Sequence, residues 1–445
     1  MSPQTVESPR QGSRQRTRSC ATELVCQRCE NSYPLESTVF SCPDCGKGLD
    51  IAYDYELAAS HFKDFPSSER PQNIWHFEEL LPIVDAAAQA RVGQHTGYTP
   101  MIRADRLGAE LGIANLYLKD DSSNRPSLSY KDRVVSMSVA RLLERSKTEI
   151  GCVSTGNVGT AVASMAAKAG VDAFIFYPNR LEEMKARACM ALGAKVVQVQ
   201  GNYDEANRRC REVAEATGMD FANITLRPFY AEGAKTAAFE IVEQFDWESP
   251  DHIVSPAAGG TLSSRLHKGL IELQLLGLSE TDGTRIHIAQ PSGCNPIASA
   301  ILAEEAEVHP VMPETAAHSL AIGAPGDGYL VIDAVHKRGG TAGFASDPEI
   351  FAGIDLLAAT EGLLTEPAGG TTVAVLEKLA AAGRFAPGET VVALITGNGL
   401  KTLDEHPQKP WPAKIDCELD PMLAALAELK SGESLLQSAR RQLAQ

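Results

Sequence analysis

Ser127-Leu128-Ser129-Tyr130-Lys131-Asp132-Arg133 follows an extended run, Leu116-Tyr117-Leu118-Lys119, and a breaker cluster from Asp121 to Pro126. It precedes an apolar-periodic run through Val134, Val135, Met137, Val139, Leu142 and Leu143, which predicts a helix. Lys131 therefore falls at a loop-to-helix transition. The positive end of a helix dipole disfavours a cation there. Such a lysine is expected to titrate low or to give up its charge in a covalent bond, which is the chemistry of a Schiff-base lysine. A surface lysine beside Asp132 would fit the local pattern too, and the rest of the chain decides between them.

Three more turns bear on that choice. Cys152-Val153-Ser154-Thr155-Gly156-Asn157-Val158-Gly159 reads as a strand (Ile150–Ser154) running into a glycine turn and a small-residue helix. Such a turn offers N–H groups and hydroxyls to an anion. Pro256-Ala257-Ala258-Gly259-Gly260-Thr261-Leu262 repeats the arrangement, and Ala258, Gly259, Gly260, Thr261 and Leu262 would give a phosphate N–H groups at a helix start plus one hydroxyl. Ile395-Thr396-Gly397-Asn398-Gly399 follows a strand at Val391–Ile395.

In this order the lysine and the three turns resemble the pyridoxal-phosphate enzymes of the tryptophan-synthase-β type, and within them the threonine synthase family. Glu361-Gly362-Leu363-Leu364-Thr365-Glu366-Pro367-Ala368 resembles that family's EG-x-x-x-EPA segment. Trp75 with Leu80-Leu81-Pro82, Gly97-Tyr98-Thr99-Pro100, Glu232-Gly233-Ala234-Lys235-Thr236 and Ser319-Leu320-Ala321-Ile322-Gly323 resemble further segments of it. The resemblance implies an α/β protein of the two-lobed pyridoxal-phosphate fold type II, with parallel-rich sheets and helices on both faces. It implies that Lys131 carries pyridoxal 5'-phosphate and acts as base, that Asn157 bonds the ring hydroxyl, and that Thr396 faces the ring nitrogen. Ser154, Thr155 and Gly156 would hold the substrate carboxylate. Ser129 and Arg133 flank the lysine, and Arg133 either takes a substrate phosphate or pairs with a carboxylate such as Asp132. The implied reaction converts O-phosphohomoserine and water to threonine and phosphate by γ-elimination and β-addition.

The sequence also departs from the family. Leu128 stands where a glycine is usual and Arg125 where asparagine is. The phosphate turn reads Ala258-Gly259-Gly260-Thr261-Leu262 rather than G-N-x-G-N, and Asn398 replaces a common histidine. These departures keep open a β-replacing enzyme of the cysteate or cysteine synthase type, acting on O-phosphoserine or a related activated serine. A non-catalytic binding protein on the same fold is a third reading, against which Lys131, Asn157 and Thr396 all speak.

Near the start, Cys26-x2-Cys29, twelve residues, then Cys42-x2-Cys45 is the strongest local signal. Four thiolates in two close pairs suit tetrahedral zinc, with all positions filled by protein and hence a structural role. Two disulfides would use the same cysteines. The other cysteines are scattered and no secretory signal is recognisable, so a reduced, cytoplasmic setting is expected. Charge amounts to 41 − 57 = −16, which argues against a nucleic-acid surface, and no apolar run approaches a membrane span. The expected partner is a small phosphorylated amino acid, and a homodimer is in keeping with the fold type.

Alternating strands and helices from residue 150 onward predict parallel sheets with right-handed crossovers. The division expected is a disordered Arg-rich arm over 1–21 (or a transit peptide), a zinc-ribbon-like head over 22–50, and a large lobe over 51–125 and 240–420. The small lobe is expected over 126–239. A helical tail is expected over 421–445, docked through Leu423, Leu426 and Leu429.

Overall fold

The computed structural model describes residues 16–64, 69–154, 156–178, 183–407, 414, 416–431 and 434–443. Three antiparallel strands open the chain: β1 (Ala21–Cys26), β2 (Ser32–Pro34) and β3 (Leu49–Tyr53), in the order β2-β1-β3. Leu24, Leu49 and Ile51 are buried in the same core as the body of the protein, so the head is packed onto it rather than tethered. Residues 16–21, expected in the arm, are bonded to the body instead, which corrects the expected arm boundary. Thr17 N donates to the Val84 carbonyl (3.1 Å), Ser19 Oγ to that of Leu81 (2.5 Å), and Arg18 pairs with Glu78 (2.7 Å). Residues 1–15 of the expected arm lie outside the described residues.

The large lobe contains β4 (Met101–Arg103) and β5 (Asn115–Asp120), and the small lobe β6 (Glu149–Val153), β7 (Asp172–Tyr177), β8 (Lys195–Gln198) and β9 (Asp220–Phe221). The chain then returns to the large lobe with β10 (His252–Pro256), β11 (Arg285–Pro291), β12 (Ala342–Ala345) and β13 (Thr390–Ile395). The large sheet runs β12-β11-β10-β13-β5-β4 and is parallel except for β4; the small one runs β8-β7-β6-β9 and is parallel throughout. Chain order reverses direction beside β10, and such switch points leave a crevice outside the carboxyl ends of the strands. The segments that follow β6, β10 and β13 meet in that crevice.

The helix that contains Glu232–Thr236 begins at Arg227 and runs to Gln244, and Pro228 fills a first-turn position where its missing N–H costs nothing. Asp347–Glu361 is a helix that no periodicity announced: Ile350, Ala352, Ile354, Leu356 and Leu357 are all buried, so no polar face exists to set a period. In the tail, Leu423, Leu426 and Leu429 are exposed on the helix Leu419–Ser431. Docking falls instead to the helix Leu435–Leu443, through buried Ala439 and the bonds from Arg440 to Glu110 (2.8 Å) and Glu377 (2.9 Å). Among the described residues no helix is long and apolar enough to cross a membrane.

Candidate active site

The crevice is a cavity of about 380 Å³ lined by Lys131, Ser154, Asn157, the turn Ala258–Leu262 and Thr396, together with residues of the head. Lys131 is the first residue of the helix Lys131–Glu144, as its position after the breaker cluster implied. Its Nζ lies 2.5 Å from the Tyr130 hydroxyl. Burial holds the ammonium below the ordinary lysine range; Tyr230 opposes that shift and the Arg227 charge adds to it. Burial likewise raises the phenols of Tyr130 and Tyr230, so both keep their protons beside the amine. The loop before the lysine is tied to the end of β13: Tyr130 N donates to the Thr396 carbonyl (3.0 Å) and Asn398 N to the Leu128 carbonyl (3.1 Å). Leu128 has φ +60°, a conformation that glycine adopts without cost.

Across the cavity the helix Thr261–Leu275 starts at the glycine turn. Gly260 has φ +96°, and a Cβ on it would stand 2.9 Å from Val331 Cγ2. A Cβ on Gly259 would meet only Ile322, at 3.6 Å, so that side of the turn is open to a ligand. Thr261 Oγ1 accepts from Arg227 Nη2 (2.6 Å), which also pairs with Asp327. A helix start with open N–H groups, a hydroxyl and a guanidinium forms an anion cradle.

Between the lobes lies a connected polar chain that sequence reasoning missed. Lys185 Nζ reaches Glu366 Oε2 (2.6 Å), Asn157 Nδ2 donates to Glu366 Oε1 (2.5 Å), and Lys401 Nζ donates to Asn157 Oδ1 (2.7 Å) and the Ser127 carbonyl (2.9 Å). Burial alone would raise the Glu366 carboxyl, but the Lys185 and Lys401 charges outweigh it and hold the group low. A Cβ on Gly397 would run into the Glu366 carboxylate, which explains the glycine after Thr396. Lys185 and Lys401 stand in no local motif, whereas Asn157 and Glu366 lie in segments that the sequence singled out.

Of the expected substrate ligands, Ser154 lines the cavity, and its Oγ accepts from Gly156 N and Gly159 N (both 2.9 Å), which fixes the turn at the start of the helix Asn157–Ala169. Thr155 lies outside the described residues. Ser129 does not line the cavity: it is fully buried behind the wall and bridges Gly397. Arg133, expected either to take a substrate phosphate or to pair with a carboxylate, does the second, which corrects its place among the substrate ligands. Its guanidinium is fully buried and bonded to Asp121 (2.8 Å), Glu240, Thr99 (2.9 Å) and Thr236 (2.9 Å). With those partners it joins strand ends and helices as a buried ion-pair centre and has no bond to spare for a substrate.

In the head the four cysteine sulfurs lie within 4.8 Å of one another, with Cys26–Cys45 at 3.4 Å and Cys29–Cys42 at 3.5 Å. A disulfide would bring sulfurs to about 2.05 Å, and all ten cysteines are free. Tetrahedral zinc with bonds near 2.3 Å sets sulfurs about 3.8 Å apart, so the four thiols fit that ion. Arg28 N and Cys29 N both approach Cys26 Sγ (3.5 Å), and the Tyr33 hydroxyl stands 3.2 Å from Cys42 Sγ, the outer bonds that orient metal thiolates.

A buried lysine amine and an anion cradle facing it across one cavity offer pyridoxal phosphate its two anchors, for the aldehyde carbon and the phosphate, and so define a pyridoxal-phosphate enzyme by class. The family model described as pyridoxal-phosphate dependent enzyme matches residues 92–397, and the chain belongs to that family. A threonine synthase of Methanocaldococcus jannaschii is 32% identical over 407 residues, covering 91% of this chain and 99% of that protein. One of Methanosarcina acetivorans is 33% identical over 410 residues, covering 91% and 98%. Among solved structures, maize serine racemase superposes with a TM-score of 0.59 at 19% identity, over 77% of this chain and 96% of that one. Escherichia coli diaminopropionate ammonia lyase gives 0.61 at 18% identity, over 86% and 95%. These two establish the fold. The cofactor is pyridoxal phosphate, and the protein is a lyase of the two-lobed fold type II.

Proposed function

We propose that the chain is a threonine synthase, taking O-phosphohomoserine and water to threonine and phosphate. What carries this reading is that relatives of that name align along nine-tenths of the chain. When bound, pyridoxal phosphate supplies the electron sink that makes protons on the substrate carbons acidic. Lys131 Nζ, whose ammonium form burial disfavours, would take the Cα proton and shuttle protons between Cα, Cβ and Cγ. Tyr130 and Tyr230 hold that amine against the cavity wall. Ser154, Thr155 and Gly156 would orient the substrate carboxylate, and Asn157 would bond the ring hydroxyl. Arg227 and the turn Ala258–Leu262 hold the cofactor phosphate.

Thr396 lines the cavity, and its neutral hydroxyl would serve as the partner of the ring nitrogen without protonating it. In the net change the Cγ–O bond breaks and phosphate leaves. Cγ becomes a methyl group, Cβ gains the water hydroxyl, and Cα recovers its proton. The test is to incubate the holoenzyme with O-phosphohomoserine and, separately, O-phosphoserine, following phosphate release and the amino-acid product. Threonine and phosphate in equal amounts from the first substrate support the reading; turnover of O-phosphoserine alone overturns it.

A further inference from the structure

The four-cysteine head does more than pack on the body. Gln27, Phe40, Ser41, Gly46, Lys47 and Gly48 line the same cavity as Lys131. The loop that carries them touches both lobes. Phe40 lies under the Arg211 guanidinium of the small lobe, 5.2 Å away, and Gln27 accepts from the Tyr329 hydroxyl of the large lobe at 2.9 Å. Asp50 anchors the head to the helix that begins at the glycine turn, through Arg265 and Lys268 (both 2.7 Å). Lys47 is held by the knuckle itself, its carbonyl accepting from Cys42 N (2.8 Å), and its Nζ stands 5.4 Å from the Tyr329 ring centre.

The charges around the cavity do not cancel. Its cations are Lys47, Lys131, Arg211 and Arg227, and its anions are Asp204 and Asp327. Arg227 is paired with Asp327. Asp204 takes backbone N–H groups of Gly323 and Ala324, and burial raises its carboxyl toward the neutral form. Lys131 belongs to the cofactor. Lys47 and Arg211 therefore face the cavity with no carboxylate partner among the described residues, in a chain of net charge −16. Tyr203, Asn207 and Arg211 are spaced at i, i+4 and i+8, so one face of the helix Tyr203–Thr217 looks across at the head.

We propose that Lys47 of the head and Arg211 of the small lobe form a second anion site in this cavity, separate from the glycine cradle, and that it holds the distal phosphate of the substrate. The proposal rests on the reading of the cavity as the site of an enzyme with a phosphorylated substrate. It makes the head a wall of the active site: the metal-binding knuckle sets where Lys47 stands, and Lys47 decides which side chains are accepted. Two cations on opposite walls would bind a dianion and leave an uncharged homologue without a partner.

The experiment uses the holoenzyme, whose cradle is filled. Wild type, Lys47→Met, Arg211→Gln and Lys47→Arg are compared by calorimetric titration with inorganic phosphate and by steady-state kinetics with O-phosphohomoserine. Lys47→Met keeps the aliphatic stem against Tyr329 and removes only the charge. The expected result is phosphate affinity and 1/KM each reduced about tenfold or more in Lys47→Met and Arg211→Gln. The cofactor absorbance and kcat should change little, and Lys47→Arg should restore most of the affinity. Phosphate affinity and KM unchanged within about twofold in both neutral variants would overturn the proposal. If wild type binds phosphate through these residues but does not turn over O-phosphohomoserine, the second anion site stands and the threonine synthase reading fails.

Discussion

Glu366→Gln removes one charge from the middle of the chain that joins the lobes and changes almost no volume. In the wild type Lys185 Nζ is 2.6 Å from Glu366 Oε2 and both side chains are about 1% exposed, so the pair is shielded from solvent. Removing one charge from such a buried pair costs about 3–5 kcal/mol. The glutamine oxygen still accepts from Lys185 or Asn157, so the lower end, about 3 kcal/mol, is expected. With a urea slope of about 4 kcal/mol/M for a chain of this length, the unfolding midpoint drops by roughly 0.8 M. The sign with pH follows from the depressed carboxyl. The stabilisation is present above the unfolded-state value of glutamic acid and disappears as pH falls through the lower folded-state one, so the gap between variant and wild type closes in acid. The double variant Lys185→Met/Glu366→Gln removes the stranded charge and should recover much of the loss. A single variant that unfolds within about 0.2 M urea of wild type, or a double variant no better than the single one, would refute the account of this pair.

Asp132 should act in the opposite direction. Burial pushes its carboxyl up to about 7, over the Ser127 hydrogen bonds and the Lys401 charge, and its Oδ1 has no partner. An acid raised in the folded state favours folding below its unfolded value and loses that contribution as pH rises through the folded one. Asp132→Asn should therefore gain thermal stability over wild type progressively from pH 4 to pH 8, by a few kcal/mol at most; equal gains at both ends would contradict this. Thr396→Ser should keep cofactor and turnover, whereas Thr396→Val leaves a ring acceptor without a donor and should weaken cofactor retention by about 1–3 kcal/mol. Equal cofactor dissociation constants for the two variants would remove Thr396 from the ring. Elemental analysis should find one zinc per chain, lost in Cys42→Ala; a metal-free protein that stays folded in chelator would show that the thiols work without an ion.

The place of Lys131 was legible because a breaker cluster and a 3.6-residue apolar period meet there. The cradle was legible because a strand, two glycines and a hydroxyl sit in one local stretch. The cysteine head was legible from spacing alone. What the sequence hid is what depends on convergence from afar. Arg133 looks like a free cation beside an active-site lysine until Asp121 and Glu240, 12 and 107 residues away, close on it. Lys185 and Glu366 are 181 residues apart and meet only when the lobes do. The helix Asp347–Glu361 was silent because burial on all sides erases the period that marks a half-buried helix. Leu423, Leu426 and Leu429 have a helical period and yet face solvent, so a period alone did not say which tail helix docks.

The central claim is that the cavity belongs to Lys131 and that this lysine holds the cofactor. Reducing the purified holoenzyme with borohydride and mapping the pyridoxyl group by peptide mass spectrometry tests it directly. The account predicts a single adduct on Lys131, and no adduct in Lys131→Ala under the same conditions. An adduct on Lys47 or Lys401, which also border this region, would contradict it.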